Sequence, residues 1–137
     1  MDPATVMDTT SRHQAQASKL FQAFNKGTPD TLEELLELFS PDAKFYMYGP
    51  QKAPMDGHKQ IREGFEGTFA QLKEFSIRIL KVAENGNVLF VERVEKFRFK
   101  DKHDVELNLV SVSQLGSDGR LVSWTDYFDS SILTELS

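Results

Sequence analysis

Apolar positions follow two periods along this chain, and the change from one to the other divides it. From Ser11 to Lys26 the apolar residues Ala17, Leu20, Phe21 and Phe24 recur at helical spacing. Gly27 is a natural stop for that helix. Thr28-Pro29 opens a second helix, with proline suited to the first turn. Its buried stripe is Leu32, Leu35, Leu36 and Phe39, while Glu33, Glu34 and Glu37 face water and Ser40-Pro41 ends it. Ala43 to Tyr48 reads as a strand, and Gly49 to Asp56, with Pro50 and Pro54, as a loop. A third helix runs from about Gly57 to Gln71, with Ile61, Phe65, Phe69 and Leu72 on one face.

Beyond that helix the period becomes two. Phe75 to Ile79 alternates, and Asn85-Gly86 signals a hairpin. Val88 to Lys100 is a long strand, Asp101-Lys102-His103 turns the chain, and Val105 to Leu115 returns. Gly116 to Gly119 turns it again, and Leu121 to Phe128 closes the set. Residues 1–10 read as a flexible tail and 11–137 as a single domain. The order α-α-β-α-β-β-β-β predicts an α+β fold, with helices packed on a curved mixed or antiparallel sheet. Such a sheet makes a cone, and its open end is a natural pocket.

Composition narrows the function classes. The chain has 137 residues, the size of one domain, and its eleven phenylalanines and single tryptophan can build a sizeable core. The formal charge is −5 and the basic residues are scattered, which argues against nucleic acid and against an anionic membrane surface. The chain has no cysteine, which excludes disulfides, thiolate nucleophiles and cysteine-ligated metal centres. Met1 to Thr10 lacks the basic and apolar regions of a secretory signal. No stretch approaches the roughly 18 apolar residues of a membrane span. A soluble cytoplasmic protein is expected.

The candidate chemistry lies in charges on the wrong face. Along Val91 to Lys100 one face of the strand is Val91, Arg93, Glu95, Phe97 and Phe99. The other face carries Glu92, Lys96, Arg98 and Lys100 and should meet water. Arg93 and Glu95 therefore point inward with the apolar residues, and buried charges must be paired. The last strand repeats the anomaly, because Asp126 shares a face with Val122, Trp124 and Phe128. A guanidinium can donate to two carboxylates at once, so Arg93 between Glu95 and Asp126 is a closed unit. Two carboxyls in a dry pocket seldom ionise equally, which supplies an acid and a base together. The plainer alternatives are a surface Arg–Glu pair and an Asp that caps a turn.

Tyr46 and Tyr48 share a face of the first strand, as core residues or as hydroxyls that hold water or substrate. Val91, Phe97, Trp124 and Phe128 are expected to line the pocket. His13, His58 and His103 are far apart, form no metal motif, and read as surface or capping residues. No phosphate-binding glycine loop and no Ser/His nucleophile is present.

Two segments carry a resemblance. Val91-Glu92-Arg93-Val94-Glu95 and Ser123-Trp124-Thr125-Asp126-Tyr127-Phe128-Asp129, together with Tyr46 to Pro50, resemble limonene-1,2-epoxide hydrolases. These belong to the nuclear-transport-factor-two-like, or SnoaL-like polyketide-cyclase-like, superfamily, whose element order matches nearly the whole chain. The resemblance implies a triad in which Arg93 bridges, Asp126 takes a proton from the attacking water, and Glu95 protonates the epoxide oxygen. Tyr46 matches the tyrosine that helps hold the water. The sequence departs from the family pattern at Glu95, where the family has an aspartate, and at Tyr48, where it has an asparagine. The resemblance also implies a homodimer.

These readings converge on a hydrolase without cofactor or metal, opening a small hydrophobic terpenoid or polyketide epoxide by direct water attack. One alternative is an isomerase, cyclase or dehydratase of a natural-product skeleton that uses the same acid–base pocket. The other is a non-catalytic small-molecule-binding or dimerisation domain.

Overall fold

The computed structural model describes residues 29–100, 104–129 and 131–134. The expected tail and first helix, His13 and the turn through His103 lie outside the described residues. Helix α1 spans Pro29–Glu37 and is followed by strand β1, Phe39–Tyr46, and the short strand β2, Met55–Asp56. Helix α2, Gly57–Gln71, leads into four further strands. These are β3 (Leu72–Asn85), β4 (Val88–Phe99), β5 (Asp104–Leu115) and β6 (Leu121–Tyr127). A single helical turn, α3, follows at Ser131–Thr134.

The strands form one mixed sheet in the order β2-β1-β6-β5-β4-β3. Among the described strands only β1 and β6 run parallel, and the other pairings are antiparallel. This is the expected α+β architecture, with a curved sheet and helices against its inner face. Among the described residues no helix is long and apolar enough to cross a membrane.

Local differences from the expected boundaries have physical reasons. Phe39 opens β1 rather than closing α1, because β1 pairs with Leu121 of β6 there before a register shift that absorbs Ser40 and Pro41. Proline lacks an N–H for a regular ladder and is tolerated at such an irregularity. Leu72 belongs to β3 rather than to the helix stripe, and Met55–Asp56 pairs with β1 within the expected loop. The hairpin after β3 closes on Asn85 opposite Val88, so its two loop residues are Gly86 and Asn87. Gly86 sits at φ +61°, as the first loop position of a primed turn requires.

The inner face carries the core. Leu32, Leu35 and Leu36 of α1 and Ile61 and Phe65 of α2 are buried against Phe39, Ala43 and Phe45 of β1. Trp124 of β6 stacks on Phe45 with ring centroids 4.7 Å apart and on Phe39 at 5.9 Å. Each such pair contributes about 0.5–1.5 kcal/mol beyond its buried area. His58 Nε2 bonds to the Phe39 carbonyl at 2.8 Å, so the expected capping histidine ties the start of α2 to β1. A second cluster, Phe97, Val105, Leu107 and Leu109, packs against Phe75, Phe99, Phe128 and Ile132 further along the same face.

The outer face of β4 is less open than expected. Val94 is buried although it points away from the core. It sits in register between Arg78 and Asn108, whose longer side chains flank it.

Candidate functional site

Arg93 stands at the middle of β4, in register with Ile79 on one side and Leu109 on the other. Val91 and Phe97 on the same face are buried, so the alternation of the strand drives the guanidinium inward with them. It is only 2% exposed. Arg93 Nε donates to Glu95 Oε2 at 2.7 Å, and Nη2 donates to Asp126 Oδ1 at 2.9 Å. The Trp124 indole Nε1–H donates to the same Oδ1 at 2.6 Å. The guanidinium carbon lies 5.4 Å from the centre of the Trp124 ring, within cation–π range.

The two carboxyls of this cluster line a cavity of about 360 Å³. Met47, Met55, Phe75, Phe97, Phe99, Leu107, Leu109 and Phe128 supply most of its wall. Glu95 and Asp126 both line it, and the buried Asp126 marks the floor. Glu63, Thr68 and Gln71 of α2 line it as well, and the exposed Glu63 and Gln71 mark the mouth. Helix α2 meets the cavity with two glycines, Gly64 and Gly67, so the space reaches the helix backbone.

Electrostatics separates the two ends of the triad from ordinary surface charge. Burial pushes the Asp126 carboxyl up to about 6, with the nearby Glu95 charge adding to the rise. The Arg93 charge and the hydrogen bonds from Arg93 and Trp124 pull it the other way without cancelling the burial. Burial would lower Arg93, but Asp126 and Glu95 outweigh it and hold the guanidinium above its usual value. Arg93 thus stays charged at any working pH, while Asp126 changes protonation close to neutrality. The Glu95 side chain is 15% exposed and reaches water more readily than the 5% exposed Asp126 side chain. A proton acceptor at the floor and a second carboxyl with access to solvent are the parts of an acid–base pair.

The structure gathers Arg93, Glu95 and Asp126 as the sequence suggested. Phe97, Phe128 and Tyr48 line the cavity as expected. Tyr48 does so from the turn after β1, where Gly49 at φ +99° lets the chain double back beside the Asp126 backbone. Tyr46 does not line the cavity. It lies in register with Thr125, one residue beyond the Phe45–Trp124 pair that packs inward, so it takes the opposite face of the sheet. The shared face expected for Tyr46 and Tyr48 fails because the strand ends at Tyr46. Val91 and Trp124 are likewise not in the lining. Both are buried in the core behind it, and Trp124 reaches the carboxylate through its N–H.

Sequence reasoning missed Ser111 and Ser113. Both are buried on the inner face of β5, where the rest of that face is Val105, Leu107, Leu109 and Leu115. Ser113 pairs with Trp124 and Ser111 with Asp126, so two small side chains make room for the large ring and the incoming guanidinium. The signal was present as two serines interrupting an apolar alternation. Among the described residues no group of three His, Cys, Asp or Glu side chains is arranged to hold a metal ion.

A family model for the SnoaL-like domain matches residues 17–124. No curated protein matches the chain. Among solved structures, an NTF2-like protein of unknown function from Burkholderia pseudomallei superposes with a TM-score of 0.79 at 17% identity, covering 91% of this chain and 96% of that one. The epoxide hydrolase/cyclase-like enzyme SalBIII, described in pyran ring formation in the polyether salinomycin, gives 0.77 at 17% identity, with 89% and 94% covered. An LEH-like epoxide hydrolase from M. tuberculosis gives 0.75 at 14% identity, with 91% and 88% covered. At these identities the likeness is one of fold.

Proposed function

The chain belongs to the SnoaL-like domain family, and from that premise and the triad geometry we propose that it is a hydrolase that opens a hydrophobic epoxide by direct attack of water. The observation that carries this reading is one buried guanidinium holding two cavity-facing carboxyls, Glu95 at 2.7 Å and Asp126 at 2.9 Å. Asp126 is the base. It takes a proton from a water molecule as the water oxygen forms its bond to an epoxide carbon. Glu95 takes the acid role and passes a proton to the oxygen that leaves the other side of that carbon. Arg93 keeps the pair at a constant distance and compensates the charge as the proton inventory shifts between them. The cycle closes when Asp126 loses its proton and Glu95 regains one through its contact with solvent. The product is a diol, and no bond forms between protein and substrate.

The cavity supports this chemistry in two ways. Its volume suits a small terpenoid or polyketide fragment rather than a polymer. Its aromatic and aliphatic wall excludes bulk water from the floor, where hydrogen bonds to developing charge count for more. The presence of an LEH-like epoxide hydrolase among the structural neighbours is consistent with this chemistry. The experiment is mass spectrometry on a panel of terpenoid and polyketide epoxides, with wild type and Asp126→Asn side by side. A product heavier by one water, formed by wild type and lost in the variant, is expected. Consumption that is equal in the two proteins contradicts the role given to Asp126.

A second reading rests on Tyr46. The residue that the resemblance assigns to the attacking water lies on the opposite face of the sheet, and Tyr48 stands where the family has an asparagine. A site with fewer groups to hold water favours an internal nucleophile, a hydroxyl of the substrate itself. The same base and acid would then close a cyclic ether. Among the structural neighbours, SalBIII is described in pyran ring formation. This version gives a product of unchanged mass from a hydroxy-epoxide.

A further inference from the structure

Asp126 has two oxygens, and the structure distributes its partners unevenly between them. Oδ1 accepts from Arg93 Nη2 at 2.9 Å and from the Trp124 indole N–H at 2.6 Å. The indole is itself fixed, stacked at 4.7 Å on Phe45 and 5.9 Å on Phe39, and it is 1% exposed. Two donors arriving from different strands on one oxygen hold the carboxyl plane in a single orientation. A lone guanidinium would leave the carboxyl free to swing about that one bond.

We propose that Trp124 is a positioning residue for Asp126: its N–H fixes Oδ1, so that Oδ2 is the oxygen presented to the cavity as the proton acceptor. The inference rests on the acid–base reading of the site and adds a residue that lies outside the cavity wall. A hydrogen bond to the ionised carboxylate also favours the charged form. Trp124 therefore moderates the effect of burial and keeps Asp126 usable as a base near neutral pH. The other charged or titratable groups that face Asp126 are Arg93 and Glu95 from β4. Tyr48 after β1 and Glu63 of α2 share its cavity, and β5 contributes only the neutral Ser111 opposite it. Of these only Arg93 also donates to Oδ1, from the other strand.

A purely structural tryptophan would fill the same volume against Phe39 and Phe45, and the test separates the two roles. Trp124 is the single tryptophan in the chain. Expression in a tryptophan auxotroph with β-(benzothienyl)alanine therefore replaces this one indole N–H by sulfur and closely preserves the fused-ring shape that packs against Phe39 and Phe45. The Asp126 carboxyl carbon is then followed by NMR against pH in both proteins. The titration of Asp126 is expected to move alkaline by about one pH unit or more, the size of a hydrogen bond to a charged group. Any acid limb in kcat/KM against pH moves with it. Titrations that coincide in the two folded proteins overturn the proposal.

A second measurement needs no change at Trp124. The one indole N–H resonance of the wild type is expected to shift with a midpoint near that of Asp126, about 6, and the step is expected to vanish in Asp126→Asn. An indole resonance indifferent to pH through that range, or a step that survives in the variant, overturns the proposal as well. Both readouts are independent of turnover. Failure of the epoxide reading would show as absent products with these titrations intact, whereas failure of the Trp124 role would show in the titrations themselves.

Discussion

Arg93 and Asp126 form their 2.9 Å ion pair across a strand that contains neither of them. Arg93 is on β4, Asp126 is on β6, and β5 lies between. The crossing is open because β5 places Ser111 opposite both Val91 and Asp126. A larger side chain there would occupy the path of the guanidinium. The pair is thus a property of three strands, and its energetics govern both stability and chemistry.

Removing the bridge leaves two carboxyls side by side without a cation. Arg93→Met is expected to destabilise the protein by about 3–5 kcal/mol, the usual cost of stranding buried charge. Arg93→Lys keeps the charge but cannot donate from two nitrogens in a fixed fork, so it should fold and lose most of its activity. Urea denaturation at pH 7, with kcat measured on the folded lysine variant, checks both statements.

Asp126→Asn retains an oxygen for Arg93 and Trp124 but cannot take a proton. Loss of one general base is expected to lower kcat by roughly 10²–10⁴-fold with the fold intact. In the wild type, activity should rise with pH through about 6, as Asp126 ionises. A pH–rate profile that is flat between pH 5 and pH 7 contradicts this assignment.

The same titration has a consequence for stability. Burial raises the folded pKa of Asp126 from its usual 3.8 to about 6, so between these values the folded protein binds more protons than the unfolded chain. The stability contributed by this group is therefore present below the unfolded pKa and is lost as pH rises through the folded one. The loss is on the order of 3 kcal/mol at most. Denaturation curves for wild type and Asp126→Asn should draw together or cross in favour of the variant as pH rises from about 4 to 7.

Two tyrosines distinguish the structure from the resemblance. Tyr48→Phe removes a hydroxyl from the cavity lining and should lower kcat. Tyr46→Phe changes the opposite face and should leave kcat within about twofold. Equal losses in both variants would place Tyr46 back at the water site.

Helix α2 sets the cavity size. A Cβ at Gly67 would meet nothing within 4 Å, so Gly67→Leu should fold normally and reject the bulkier members of a substrate series. At Gly64 a Cβ would collide with Met55 Sδ. Gly64→Ala must therefore push a cavity-lining side chain aside, and its effect should appear in KM before stability.

Much of this site was legible in the sequence because strand alternation is strict. Arg93, Glu95 and Asp126 stood out as charges among inward apolar positions, and the long β4 and β6 preserved that period. Tyr46 was misplaced because a strand end breaks the alternation, and nothing local to Tyr46-Met47-Tyr48 marks where pairing stops. Phe39 was read into a helix because its spacing fits both the α1 stripe and the first pair of β1 with β6, a contact between residues 39 and 121. The role of Trp124 required three dimensions. Its ring reads as lining, and only the strand register reveals that it lies behind the carboxylate.

The most direct test of the account is a single turnover in ¹⁸O-labelled water with enzyme in excess over an accepted epoxide. Direct attack of water predicts one labelled oxygen in the diol and none in Asp126 or Glu95 after the protein is digested and its peptides weighed. Label in either carboxyl, with an unlabelled first-turnover diol, would mean a covalent ester and would contradict the mechanism.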